Sequence, residues 1–524
     1  MSVSALRDHL TCVPDLLRLE RWEGLRRTLL GANALAATRS QCHQVQLSMM
    51  LVPLSLRCQP VWSALAARIA YRAGAVEACF EVLGTDPELL AFKAWVMLEQ
   101  DSAVALRLAL SALETNHADV AWRVVASARA GLHDPDWRTA FAQTLAHLSG
   151  RQRGLCLVEY GYYLTMAGDN AAARSAYAEA LPILSADRYF LALLHYNIAI
   201  ACHRLGQLRE ALRSAEAAVR MAADPAAIQF VARAWSGLGM IRRSRLEIPR
   251  ALHAYSQAKT YSTEPDDLVQ AWRGHAATLR LQGKLDEALA QLFEALTFDD
   301  AHVGTLTDIA LLKAQLGDRR GAINIMETLP SPLPAEETER LTLVKLESMR
   351  VAGEIETAKA GLLSLNLVGS WASEECRHFA ALFDLIGQRA APLTPMRVTV
   401  ATDGAVRVCI GDLELPAPAP RLAGLLTCLI HQDQRVLTRH LTDLLTLPGV
   451  APRQREQALS RAVTQLREYL GWDHAITAQR GAYALDQAVQ WRLEYPSDPE
   501  RFCAALSDPW IVDWREAHLE PLVF

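Results

Sequence analysis

Between Arg453 and Leu470 the apolar residues Leu459, Ala462, Val463, Leu466 and Leu470 recur at spacings of three and four, which puts them on one buried helix face. Gln457, Ser460, Arg461, Thr464 and Gln465 then project elsewhere. These side chains suit the edges of base pairs. A Gln amide pairs with adenine in two places, Arg with guanine, and Thr reaches a thymine methyl or a phosphate. Arg453 and Arg467 extend the set along the helix, and Arg480 follows in the next segment. The arginines 453, 455, 461 and 467 equally fit the solvated side of an ordinary surface helix, and residue type alone leaves both open.

The elements that would position this helix read clearly. Arg389-Ala390-Ala391-Pro392-Leu393-Thr394-Pro395 is a short Pro-bearing linker, and MRVTVATDGAVRVCIGDLEL after it alternates apolar and polar residues around Asp403-Gly404, a β-hairpin signal. The order from residue 396 is two or three short strands, an apolar helix near 421–431, and a second helix with Thr438 as N-cap. A longer helix over about 453–470 is stopped by Gly471, and a short hairpin follows over 475–486 with a bend at Gly481.

Arg435-Val436-Leu437-Thr438-Arg439 before a Leu-rich helix, Ala458-Leu459 through Leu466-Arg467 closing on Leu470-Gly471, and Arg480-Gly481-Ala482-Tyr483 together resemble the winged-helix output domain of the OmpR/PhoB type. The antibiotic regulatory proteins of actinobacteria use the same domain. The resemblance covers 396–487 and implies that the outward residues of the third helix read the major groove, while the wing arginine, here Arg480, reaches the minor groove. Gln457, Gln465 and Glu468 stand where such proteins often carry basic residues. Residues 453–480 hold five Arg against three acids, a thin local excess. A winged helix can also serve as a protein-interaction module. Acids outnumber bases seven to three over 488–524. That segment, read as a helical tail, should fold back with Trp510 and Trp514 buried.

Upstream, a repeat sets the frame. In GDNAAARSAYAEAL, Gly168 ends one helix and Ala173, Tyr177 and Ala180 form the packing face of the next, while Gly161 lets the preceding helix approach. The pattern recurs at Gly206/Ala211/Ala215/Ala218, Leu246/Ala251/Tyr255/Ala258 with Gly239 upstream, and Gly283/Ala288/Leu292/Ala295. Looser copies are Gly317/Ala322/Met326/Leu329 and Gly353/Ala358/Leu362/Leu365. Successive first positions are 38, 40, 37, 34 and 36 residues apart, one helical hairpin per step.

These spacings resemble the tetratricopeptide repeat family over about 155–367. The resemblance implies an array over 155–388; residues 1–154 keep the helical texture without the clean frame and read as degenerate helical repeats, with Trp62, Trp95, Trp122 and Trp137 filling hairpin interiors. Breaks fall at Gly84-Thr85-Asp86-Pro87, at Asp134-Pro135 and at Pro330, Pro332 and Pro334. Such arrays offer concave surfaces to proteins, peptides or small ligands. Groove candidates on the first helix of each hairpin are Tyr160, Tyr163, His195, Asn197, Arg233, Trp272 and His275.

Composition excludes several classes. The chain has 524 residues, 51% hydrophobic and 21% charged, with net charge −5, so it is globular, exceeds one core, and carries no global basic field. Arg7, Asp8 and His9 interrupt the N-terminus where a signal peptide would be apolar. The stretch Leu47 to Leu56 holds Pro53 and falls far short of the roughly 20 residues of a spanning helix. The ten cysteines never form C-x-x-C and read as small buried apolar residues of a reducing compartment; the fifteen histidines are dispersed. H-E-x-x-H, G-x-S-x-G, G-x-x-x-x-G-K-[ST] and strand-borne G-x-G-x-x-G are all absent from the sequence.

The expectation is therefore a mostly α chain, a TPR-like α-solenoid followed by a small α+β winged-helix domain, acting as a cytoplasmic bacterial transcription regulator rather than an enzyme. Double-stranded DNA and a groove-bound protein or peptide are the expected partners, with homodimerisation compatible and no membrane, metal or cofactor. The alternative is a scaffold whose winged helix binds protein.

Overall fold

The computed structural model describes residues 2–36, 39–83, 89–98, 100–114, 118–330, 333, 335–367, 370–390, 392–445 and 451–519. The expected breaks at 84–87, Pro332 and Pro334 lie outside them. The chain divides into two compact units. One comprises 1–241, 257–273 and 292–305; the other comprises 242–256, 274–291 and 306–524.

The first unit is all helical. Helices from Ser2–Thr11 to Leu90–Met97 close on a core that includes Leu25, Leu29, Val45, Trp62 and Ile69. Trp62 is buried, whereas Trp95, Trp122 and Trp137 are only partly so; Trp122 stacks on His147 at 4.6 Å between ring centroids. Regular hairpins begin with Gly150–Met166 and Asn170–Ile183, then Arg188–Arg204 and Leu208–Ala222. Ala173, Tyr177 and Ala180 are buried, as the repeat frame requires. A Cβ on Gly161 would sit 2.4 Å from the Tyr177 ring, so only glycine lets these helices meet.

The start of each repeat frame is a left-handed turn. Gly168, Gly206, Gly283, Gly317 and Gly353 take φ of 80°, 72°, 75°, 84° and 90°. Leu246, in the same position of its repeat, takes φ 60° without glycine's freedom. Asp169 and Asp318 then cap the following helices, accepting from the backbone N–H of Ala172 at 3.2 Å and of Gly321 at 2.9 Å.

In the second unit the same packing continues. The glycine placed against Tyr255 is Gly274, where a Cβ would fall 2.1 Å from the ring; Gly239, expected in that role, is simply buried. Hairpins Val303–Gln315 with Arg319–Thr328, and Ala335–Val351 with Ile355–Leu363, are followed by the helix Ser370–His378. The chain is thus a TPR-like α-solenoid followed by a small α+β domain.

That domain has two sheets. Strands β1 (Met396–Ala401), β2 (Arg407–Ile410) and β3 (Leu413–Glu414) precede the helix Pro420–His431; β4 (Arg435–Leu437) precedes helices Thr438–Leu445 and Pro452–Leu470. Strands β5 (Ile476–Gln479), β6 (Ala482–Leu485) and β7 (Val489–Glu494) follow, giving sheet orders β3-β2-β1-β7 and β4-β6-β5. Three features differ from the sequence reading. Arg435–Leu437 is a strand, paired antiparallel with β6. Thr438 is the first helical residue, its N–H donated to the Gly481 carbonyl at 3.0 Å.

The third difference is larger. Residues 489–494, placed in a helical tail, form β7 and pair parallel with β1 from Met396↔Val489 to Ala401↔Glu494. The alternation of Val489, Trp491 and Leu493 with Gln490, Arg492 and Glu494 is a period-two pattern, so the domain runs past 487. After β7 the helix Pro509–His518 packs Trp510 and Trp514 onto the same core, and Arg515 donates to the carbonyls of Phe502, Cys503 and Leu506.

Seven cysteines are buried, Cys12 and Cys58 are exposed, and none of the ten is in a disulfide. The exposed pair departs from the expectation of burial. Among the described residues, no helix is long and apolar enough to cross a membrane.

Candidate nucleic-acid interface

The Pro452–Leu470 helix starts with proline in its first turn and ends at Gly471 in a left-handed cap, φ 87°. Leu459, Ala462, Val463, Leu466 and Leu470 are buried in the domain core. Arg453, Gln457, Arg461, Thr464 and Gln465 are exposed on one stripe. Glu468, also exposed, continues that stripe and weakens its positive character. Thr464 bonds its own helix, donating its hydroxyl to the Ser460 carbonyl at 3.0 Å.

Arg467 departs from this set. It is partly buried, and its Nε donates to the Ile476 carbonyl at 2.9 Å, tying the helix to β5. Its helical position borders the apolar face, which turns the guanidinium inward. Arg480 is exposed in the turn joining β5 to β6, beside Gly481 at φ 71°. Arg453, Arg461 and Arg480 form no ion pair among the described residues.

Where this turn meets two helix starts there is an open cleft of about 530 Å³, lined by Thr438, Arg439, Thr442, Pro452, Arg455 and Gly481 among others. Arg455 is partly neutralised by Asp443 at 3.3 Å; Arg439 is exposed. The sequence places Arg439 in the motif before the second helix and gives it no part in the site. Its place one residue into a helix, opposite the turn, depends on the β4–β6 pairing, which composition does not reveal.

The other end of the helix is held by the repeats. A Cβ on Gly471 would lie 3.2 Å from Arg250 Nε and 3.7 Å from Arg242 Nη2, so two guanidiniums face the negative end of the helix dipole. Arg250 pairs with Glu247 at 2.8 Å and Glu247 with Arg245 at 2.6 Å; Arg245 in turn pairs with Asp412 next to β3. His253 Nδ1 lies 3.2 Å from an Asp473 carboxylate oxygen. The stripe points away from these contacts, since its residues remain exposed.

The groove candidates are partly committed to the solenoid itself. Tyr160 and Tyr163 pack on Phe141, with centroids at 5.0 and 5.9 Å, and burial pushes the Tyr163 hydroxyl up to about 12. Arg233 pairs with buried Asp267 at 3.0 Å. The Lys259 ammonium lies 3.7 Å above the Trp272 ring, and burial lowers its pKa to about 8. Burial also lowers the pKa of His195, and Asn197 and His275 are partly buried.

No protein-family model matches the chain, and no curated protein does. Among solved structures it is similar to NprR in complex with its cognate peptide NprX, at 14% identity and TM-score 0.40, over 58% of this chain and 99% of that one. A Rap protein complexed with competence and sporulation factor gives 12% identity and TM-score 0.40, over 58% and 90%. The APC/C hetero-tetramer Cut9-Hcn1 gives 14% and 0.39, over 61% of this chain and 66% of that chain. At such scores the function has to be argued from the chain's own residues.

Proposed function

We propose that residues 396–519 form a winged-helix DNA-binding domain and that the chain is a cytoplasmic bacterial transcription regulator, without catalysis, controlled through its repeat array. The observation that carries this is the exposed stripe Arg453, Gln457, Arg461, Thr464 and Gln465 together with Arg480 on the neighbouring turn. The helix enters the major groove, where Gln457, Arg461 and Gln465 contact base edges. Arg480 reaches into the flanking minor groove. The starts of helices Thr438–Leu445 and Pro452–Leu470, with Arg439, approach phosphates and fix the register.

The repeat array takes a peptide or protein in its groove, and pairing of two copies would set the spacing of half-sites. One observation favours the scaffold alternative: Glu468 lies on the stripe, and the local basic excess is small. Salt-dependent binding to a genomic DNA pool, for the full chain and its Arg480→Ala variant, separates the two. A regulator enriches a sequence motif and loses it in the variant; a scaffold retains no DNA above background.

A further inference from the structure

The helix Ser370–His378 does not extend the solenoid as the preceding helices do. Its partners lie on the first helices of three hairpins, two adjacent and the third beyond the intervening Val303–Gln315 hairpin. Glu374 accepts from Arg243 Nε at 3.0 Å. Glu375 takes two contacts of 3.0 Å from Arg280, through Nη1 and Nη2, and one of 3.2 Å from Arg340 Nη2. The Arg280 guanidinium also lies 5.7 Å from the Phe379 ring centroid. Arg243, Arg280 and Arg340 belong to helices Val231–Ser244, Pro265–Leu281 and Ala335–Val351, so the short helix runs across these helices rather than stacking behind the last.

Its chemistry differs from the repeat junctions. Those join through Ala, Gly and Tyr with ion pairs that stay at least partly exposed, such as Arg233–Asp267, whereas here both partners, Glu375 and Arg280, are buried. Burying charge costs desolvation and is repaid only by well-placed partners. A contact built this way recognises a charge pattern, and because Cys376 and Phe379 of the same helix sit in the hydrophobic core of these repeats, a competitor must match its apolar face as well as its carboxylates. Without the helix, Arg340 keeps Asp308 at 2.6 Å and Glu337 at 3.3 Å, and Arg280 keeps a neutral bond to Gln315 at 2.7 Å.

We infer that Arg243, Arg280 and Arg340 form a recognition site for an acidic peptide segment with two adjacent carboxylates and an aromatic residue four positions later, and that Ser370–Phe379 is its resident ligand. The inference deepens the groove part of the proposed function and rests on reading that surface as a ligand site. The incoming segment displaces the resident helix, which leads directly into the 389–395 linker and the C-terminal domain.

The test uses the full chain and a fluorescent synthetic peptide of residues 370–383, without DNA, so its failure is separable from failure to bind DNA. A chain carrying Glu374→Gln and Glu375→Gln, with helical content retained, should bind the peptide at least tenfold more tightly than wild type, because its internal competitor is weakened. In wild type, peptide at concentrations on the order of millimolar should raise hydrogen exchange across 370–386, while the peptide with both glutamates as glutamine should not. Equal behaviour of the two peptides, or unchanged exchange in wild type, would overturn the inference whether or not the variant folds.

Discussion

His253 Nδ1 meets the Asp473 carboxylate at 3.2 Å, two residues beyond the cap of the Pro452–Leu470 helix. Burial lowers the His253 pKa, Asp473 opposes that shift, and Arg242 and Arg250 add to it. Asp473→Ala should therefore lower the His253 pKa further, read by NMR of labelled histidine. It should also speed hydrogen exchange in the last turn of the helix, 467–471. An unchanged titration would show that the contact is not made in solution.

His378 should make the fold acid-labile. Burial and then Arg280 drive its pKa from 6.5 to about 3, against the pull of Glu375. Because the folded value is depressed, the unfolded chain binds the proton first. The contribution is complete above pH 6.5 and is lost as pH falls toward 3. The slope from this residue is about 1.4 kcal/mol per pH unit inside that window. Denaturant midpoints measured between pH 7 and pH 5 should fall in wild type and fall less in His378→Gln.

Two substitutions test the repeat geometry with opposite signs. Gly274→Ala forces a Cβ to 2.1 Å from the Tyr255 ring and should cost about 1–3 kcal/mol. Leu246→Gly relieves a left-handed leucine and should gain up to about 1 kcal/mol, less whatever packing the side chain contributes. Thermal melts of the two variants check both.

Arg467 and Arg461 should separate stability from recognition. Arg467→Ala removes the bond to the Ile476 carbonyl and should destabilise the domain by about 1–3 kcal/mol. Arg461→Ala, at an exposed position, should leave the denaturant midpoint within about 0.5 kcal/mol of wild type and weaken DNA binding. Equal effects on both readouts would remove the distinction.

Much of this architecture was legible because it is local. The left-handed turns at Gly168 through Gly353, the buried Ala173, Tyr177 and Ala180, and the buried face of 453–470 all follow from short-range periodicity. What escaped depends on pairing across long separations. Strand β7 is short and is defined by β1, about ninety residues earlier. The Arg467 bond requires β5 to be in place. The contacts of Glu374 and Glu375 with Arg243 and Arg280 span 131 and 95 residues, and no spacing rule links them.

The central claim is that the 452–470 stripe and Arg480 read DNA. The most direct measurement is the affinity of the full chain for a motif selected from genomic DNA, across a salt series, in wild type, Arg480→Ala and the Gln457→Ala/Arg461→Ala/Gln465→Ala variant. Wild type should enrich a motif and lose affinity linearly in log salt, by about 0.9 for each phosphate neutralised. Both variants should lose the motif while keeping wild-type helical content. Failure of wild type to retain any sequence above background, or motif binding unchanged in both variants, would contradict the account.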